Sequence, residues 1–116
     1  NPLAGNNADN LTVSPRGGIV LCEDGGGVED MFGFGERLLG LTPSGAPFIL
    51  AKNNIQLSTA DLKAAGKSTL LIAEDDYRNR EWCGACFDPS GSTLFVNVQT
   101  PGVTFAITGP WSAGPI

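Results

Sequence analysis

The feature that most constrains the fold is an internal repeat. The stretch NLTVSPRGGIVLCED (residues 10–24) aligns without gaps with GACFDPSGSTLFVNV (residues 84–98). In each copy a short apolar segment enters a Ser-Pro or Asp-Pro turn that ends in glycine, and a more hydrophobic segment follows. Proline fixes φ at the first central position of such a turn, and glycine supplies the freedom to re-enter a sheet. Each copy therefore predicts an antiparallel β-hairpin.

Three further segments extend this pattern. ERLLGLTPSGAPFILAKN (residues 36–53) predicts another hairpin, and GVTFAITGPW (residues 102–111) predicts one more strand. LSTADLKAAGKS (residues 57–68) predicts a short helix, because Ser58 or Thr59 can cap it and a glycine ends it. STLLIAEDD, directly after that helix, predicts a strand.

Four strands in a meander over about 45 residues form the unit of a propeller blade. We therefore predict a mainly β fold of antiparallel meander hairpins, about one and a half blades of a β-propeller, with one short helix in an insertion. The single unit 1–116 divides into a four-strand blade at 9–53, an insertion with the helix at 54–82, and a second, partial blade at 83–111.

The predicted blades leave open strand edges. A propeller closes only with about four blades or more, and an open edge invites pairing with another strand. The expected partners are therefore the remaining blades of a longer parent chain, or other copies of this chain through self-association.

Composition excludes several classes of function. The net charge is −5 and the seven basic residues are scattered, which argues against nucleic-acid binding. No apolar run approaches the roughly 20 residues of a membrane span. The chain has no histidine, so His-based triads and His-containing zinc sites are excluded.

The three cysteines give weak chemical signals. Cys83 and Cys86 form one CxxC pair, and Cys22 stands apart. A structural zinc site takes four ligands, and a redox CxxC usually opens a helix, whereas this pair precedes a predicted strand. Small, half-buried cysteines are the favoured interpretation.

The acidic motif of the first copy leaves two interpretations open. In GGIVLCEDGGG (residues 17–27) a strand ends at Glu23 and Asp24 beside a glycine loop. These acids could hold a metal, or the strand could simply be leaving the core for water. The acidic run at residues 74–76 is followed by two arginines and is interpreted as a solvated loop.

The blocks DNLTVSPRGGIVLCEDG, LLGLTPSGAPFILAKN and GACFDPSGSTLFVNVQTPGVTFAITGPW resemble the C-terminal region of the PhoX-type bacterial alkaline phosphatases. The resemblance extends over residues 9–111, with residues 55–82 unmatched. It implies a β-propeller that is periplasmic or secreted and that hydrolyses phosphomonoesters. It also implies a site with calcium and iron, in which the cations polarise the phosphoryl oxygens.

The resemblance also implies candidate metal ligands. Glu23 matches the family's CEDG motif, and Asp24 alternates to the opposite face of the strand. Asp9 and Asn10 lie where a propeller's innermost strand begins, near the channel mouth. We predict no catalytic residue in this chain, and we expect the isolated chain to be inactive and its metal site empty. A non-catalytic propeller scaffold and a β-domain that binds a partner through its edges remain the alternatives.

Overall fold

The structure, a computed structural model that describes residues 2–116, confirms the mainly β prediction. Its strands are antiparallel hairpins, and it contains one short α-helix. The elements are β1 (Asn10–Val13), β2 (Ile19–Cys22), β3 (Val28–Asp30), β4 (Gly33–Gly35), β5 (Arg37–Leu41), β6 (Pro47–Lys52), β7 (Gln56–Leu57), α1 (Thr59–Ala64), β8 (Asp75–Asp76), β9 (Trp82–Phe87), β10 (Thr93–Val98), β11 (Val103–Thr108) and a 3-10 turn (Trp111–Ala113).

The first sheet has four strands in the order β1-β2-β5-β6. It contains the first repeat copy as the β1–β2 hairpin and the predicted hairpin at residues 36–53 as β5–β6. The connection between β2 and β5 carries a small β3–β4 hairpin that the sequence analysis did not predict. The sheet is thus a four-stranded antiparallel unit with a hairpin inserted at its middle connection.

The second sheet has three strands in the order β11-β10-β9 and contains the second repeat copy. In chain order, α1 and the short β7–β8 ladder come between the strands of the first sheet and those of the second. Ser58 caps α1, because its hydroxyl accepts from the Asp61 amide while the Asp61 carboxylate accepts from the Ser58 amide. This arrangement is a capping box. The division into units at 9–53, 54–82 and 83–111 stays a prediction.

The predicted strand at STLLIAEDD is wrong over most of its length. Residues 68–72 form turns, and the strand is confined to Asp75–Asp76. Leu70 and Leu71 are 94% and 87% exposed, so the apolar run covers no core surface. An isolated apolar run becomes a strand only where a neighbouring strand or a core accepts it, and here only the two residues of β7 pair with this segment.

The core lies where the two sheets share apolar side chains. β1 and β9 contact each other, and side chains of β2, β5, β9 and β10 form one buried cluster. Its buried members are Val20, Cys22, Leu38, Trp82, Ala85, Leu94, Val96, Val98 and Ile116. Burial of apolar side chains stabilises such a fold by about 25 cal/mol per Å². The shared core fixes the ends of β1, β2 and β9 relative to one another.

No helix among the described residues combines the length and the apolar character needed to cross a membrane.

Candidate metal centre

Three carboxylates meet where β1 begins, β2 ends and β9 begins. Asp9, Asp24 and Glu81 each have one carboxylate oxygen that lies within 4.8 Å of those of the other two residues. Asp9 and Asp24 are exposed, and Glu81 is half-buried. We call this group the acid cluster.

Backbone pairing brings these residues together. Asn10, the first residue of β1, pairs with Cys22, the last residue of β2, so the residues just outside the ladder lie at the same end. The Trp82 amide donates to the Glu23 carbonyl oxygen at 3.3 Å, which places the start of β9 at this end as well. The Asn10 side chain joins the two sheets here, since its Oδ1 accepts from the Gly84 amide at 3.2 Å. The acid cluster is thus formed by residues that flank the ends of strands from both sheets.

The electrostatics of the acid cluster are those of unrelieved like charge. Burial raises the pKa of the Glu81 carboxyl, and the charges of Asp24 and Asp9 raise it further. Burial also raises the pKa of the Cys83 thiol, with added contributions from Glu81 and Asp9. A cation among the three carboxylates would remove this repulsion. Hard oxygen donors of this kind suit calcium and ferric iron, so the donor set fits the metals that the resemblance implies.

Glu23 lies at the same strand end but has different partners. Both of its carboxylate oxygens bind the Arg37 guanidinium, with Nε to Oε2 and Nη2 to Oε1 at 2.7 Å each. The side chains are 0% and 2% exposed. A forked arginine–carboxylate pair of this kind is strong and geometrically specific. Formation of the pair raises the pKa of Arg37, chiefly through the hydrogen bonds to Glu23.

The N-terminal segment, residues 2–9, completes the surroundings of this ion pair. The Pro2 carbonyl oxygen accepts from Arg37 Nη1 at 2.8 Å, and the Ala4 carbonyl oxygen accepts from Nη2 at 3.3 Å. The Asn6 amide donates to Glu23 Oε1 at 2.7 Å. The segment then runs directly into Asp9.

A second buried acid supports the glycine loop that follows Asp24. Glu36 is fully buried, and its Oε1 accepts from the Gly25 amide at 2.5 Å. Among the described residues, its Oε2 has no hydrogen-bond partner. Burial raises the pKa of this carboxyl against the lowering effect of the Gly25 and Gly27 amides, and the Glu23 charge adds to the rise.

The structure groups the predicted ligands differently from the sequence analysis. Asp9 and Asp24 come together, whereas Glu23 and Asn10 lie outside the acid cluster. The assignment of these four residues as metal ligands stays a prediction. Glu81 was not among the predicted ligands, because it lies far from the CEDG motif in the chain. The available signal was its place directly before β9, three residues before the second repeat copy begins.

The structure also shows where the three cysteines and the acidic run at residues 74–76 lie. Burial raises the pKa of the Cys22 thiol to about 11, so this residue is a neutral core side chain at physiological pH. Cys83 and Cys86 are free thiols on β9. In the acidic run, Asp76 binds Arg78 at 2.7 Å and Glu74 accepts from Thr59.

The fold and the acid cluster together define a mainly β protein with a candidate site for a hard cation. The family model of the alkaline phosphatase PhoX matches residues 2–102 of the 116-residue chain. The chain therefore belongs to the PhoX alkaline phosphatase family, which confirms the resemblance. No curated protein and no solved structure gave a match.

Proposed function

We propose that this chain contributes to a phosphatase that hydrolyses phosphomonoesters with metal assistance. The observation that carries the proposal is the acid cluster, three carboxylates at one end of the shared core, in a chain of the PhoX family. The contribution that we assign to this chain is ligation of the cation through carboxylates.

Asp9, Asp24 and Glu81 would hold the cation, with Asp24 presented by the end of β2 and Glu81 by the start of β9. A bound cation polarises phosphoryl oxygens and neutralises the charge that grows during hydrolysis. Calcium, with iron, is the proposed metal complement. Burial and the charges of Asp24 and Asp9 raise the pKa of Glu81, and a bound cation opposes both effects, so loading favours the ionised form of Glu81.

The cation site is proposed to be incomplete within these 116 residues. Calcium takes six to eight oxygen ligands, and the acid cluster supplies three side chains. Further ligands and the phosphate-binding groups would come from other blades of a propeller in a longer protein. The sequence alone led us to expect an empty site in the isolated chain, but the grouping of three carboxylates supports weak binding instead. With water completing the coordination, we expect the chain alone to bind calcium with a Kd of about 0.1 to 1 mM. The proposed location of the longer protein is the periplasm or the exterior of the cell.

The test uses p-nitrophenyl phosphate with this chain and with a longer PhoX-family protein that contains it. The longer protein should hydrolyse the ester with calcium and lose that activity with a chelator, and the short chain should be inactive. Hydrolysis that is absent from the longer protein, or that a chelator leaves unchanged, would contradict the proposal. Absence of hydrolysis would favour a non-catalytic propeller scaffold.

A further inference from the structure

We propose that the buried Glu23–Arg37 pair is a positioning element of the acid cluster. This inference rests on the proposed cation site and assigns the pair the task of placing Asp9 beside Asp24. Neither Glu23 nor Arg37 contacts the cation in this account.

The first observation is the attachment of the N-terminal segment to Arg37. Residues 2–9 lie outside every helix and strand, so no ladder of their own determines their path. The outer edge of the guanidinium donates to the carbonyl oxygens of Pro2 and Ala4, while its inner edge is held by Glu23. Arg37 thereby joins the segment to the buried end of β5.

The second observation is the attachment of the same segment to the end of β2. The Asn6 amide donates to Glu23 Oε1, and the Asn7 side-chain amide donates to the Asp24 carbonyl oxygen at 3.1 Å. The Asn6 side chain lies so close to Gly25 that a Cβ at this glycine would overlap its Nδ2. Two residues later the chain reaches Asp9, so these contacts set where its carboxylate lies.

The acid cluster needs such support because its three members repel one another. Carboxylate oxygens of the three residues lie within 4.8 Å of one another, so an unanchored Asp9 would move away into solvent in the absence of a cation. The polar contacts of residues 2–7 hold Asp9 in place, and they converge on the Glu23–Arg37 pair and on the end of β2. Outer contacts that orient metal ligands typically change affinity by about 10- to 100-fold when they are removed.

For cation affinity, the positioning role predicts a change opposite in sign to the change that charge alone predicts. Arg37→Gln removes a positive charge near the acid cluster, which by charge alone would strengthen cation binding. Loss of positioning weakens it instead. Arg37→Lys keeps the charge but cannot form the fork that joins Glu23 to the Pro2 and Ala4 carbonyl oxygens, so its affinity should fall as well.

The experiment titrates the chain with terbium, read by luminescence sensitised through Trp82 next to Glu81, and competes the signal with calcium. The variants are Arg37→Gln, Arg37→Lys and a deletion of residues 1–5, which removes no charged side chain and leaves the ion pair intact. The matched control is Asp30→Asn, which breaks the half-buried Lys52–Asp30 pair of 3.0 Å between β6 and the β3–β4 hairpin. Circular dichroism verifies that each variant is folded.

We expect the deletion and both Arg37 variants to bind about tenfold more weakly than the wild type, with the control unchanged. Amide relaxation measured by NMR without metal should show increased mobility of residues 6–9 in Arg37→Gln and not in the control. If the wild type does not bind terbium, the proposed cation site is wrong. If, in addition, the mobility of residues 6–9 is the same in Arg37→Gln as in the control, the positioning role is wrong as well. A wild type that binds, with a folded deletion variant of equal affinity, overturns the positioning role alone.

Discussion

The two copies of the repeat share a hairpin and differ at the end where the acid cluster lies. In the first copy Glu23 and Asp24 directly follow the second strand, β2; in the second copy the equivalent positions are Asn97 and Val98, the last residues of β10. Val98 is fully buried in the core. Asn97 bridges its neighbours, since it donates to the Cys83 carbonyl oxygen and accepts from the Thr104 hydroxyl. The second copy therefore has a hydrogen-bonding amide and a core side chain at these positions, where the first copy has two carboxylates.

The turns at the other end of the two hairpins are alike. The Gly17 amide donates to the Ser14 carbonyl oxygen at 2.9 Å, and the Gly91 amide donates to the Asp88 carbonyl oxygen at 2.8 Å. Both glycines have positive φ, which favours glycine over other residues. The part that the two copies share therefore builds the scaffold, and the strand ends at which they differ carry the candidate function.

The largest expected effect on stability comes from breaking the Glu23–Arg37 ion pair, because the second copy has the uncharged Asn97 at the position of Glu23. Arg37→Met leaves the buried Glu23 carboxylate without a charged partner, and removal of one member of a buried pair costs about 3–5 kcal/mol. Asn97→Ala, at the equivalent position of the second copy, should cost about 1 kcal/mol. Urea unfolding followed by tryptophan fluorescence measures both. Equal losses for the two variants would remove the distinction between the copies.

A second difference lies in the first residue of each turn. Hydrogen bonds from the Ser90 hydroxyl and from the Thr93 amide lower the pKa of Asp88 to about 2. Because the folded pKa is depressed, the stabilisation is present above the ordinary value of 3.8 and is lost as the pH falls towards about 2. Ser14 of the first copy carries no charge and contributes no such dependence.

The variant Asp88→Ser, which gives the second turn the residue of the first, should flatten this part of the pH profile. Melting temperatures measured between acidic and neutral pH provide the comparison, and Glu29→Gln, an exposed acid outside both turns, is the control. An unchanged acid dependence in Asp88→Ser would show that the Asp88 hydrogen bonds do not stabilise the turn.

The smallest effect concerns the cysteines, with Cys22 in the first copy and Cys86 in the second. Cys22 is fully buried and the pKa of its thiol is raised to about 11, whereas Cys86 is exposed. Alkylation by iodoacetamide, followed by mass spectrometry, should modify Cys86 first and Cys22 only after unfolding. Rapid modification of Cys22 in the native chain would contradict its place in the core.

The repeat and the turns were readable from the sequence because they depend on local chemistry. Proline and glycine at fixed offsets predicted the hairpins, and Ser58 predicted the start of the helix. The strand predicted over Leu70 and Leu71 failed because nothing local shows whether a neighbouring strand is available to pair with it.

The acid cluster was predictable only in part. Asp24 was recognised from the CEDG motif at the end of a predicted strand, and Asp9 from its place where the family resemblance puts the start of a propeller's innermost strand. Glu81 was missed because its position depends on how the second sheet packs on the first. The pairing of Glu23 with Arg37 was missed for a similar reason, since it depends on β2 and β5 being neighbours across an inserted hairpin.

Calcium binding by the chain, measured by isothermal titration calorimetry, directly tests whether the acid cluster is a cation site. The double variant Asp24→Asn/Glu81→Gln removes two members of the acid cluster, and Glu29→Gln/Asp75→Asn removes the same charge from exposed positions elsewhere. We predict saturable binding that is lost in the first variant and retained in the second. Equal binding by both variants, or none by the wild type, would contradict a cation site at the acid cluster.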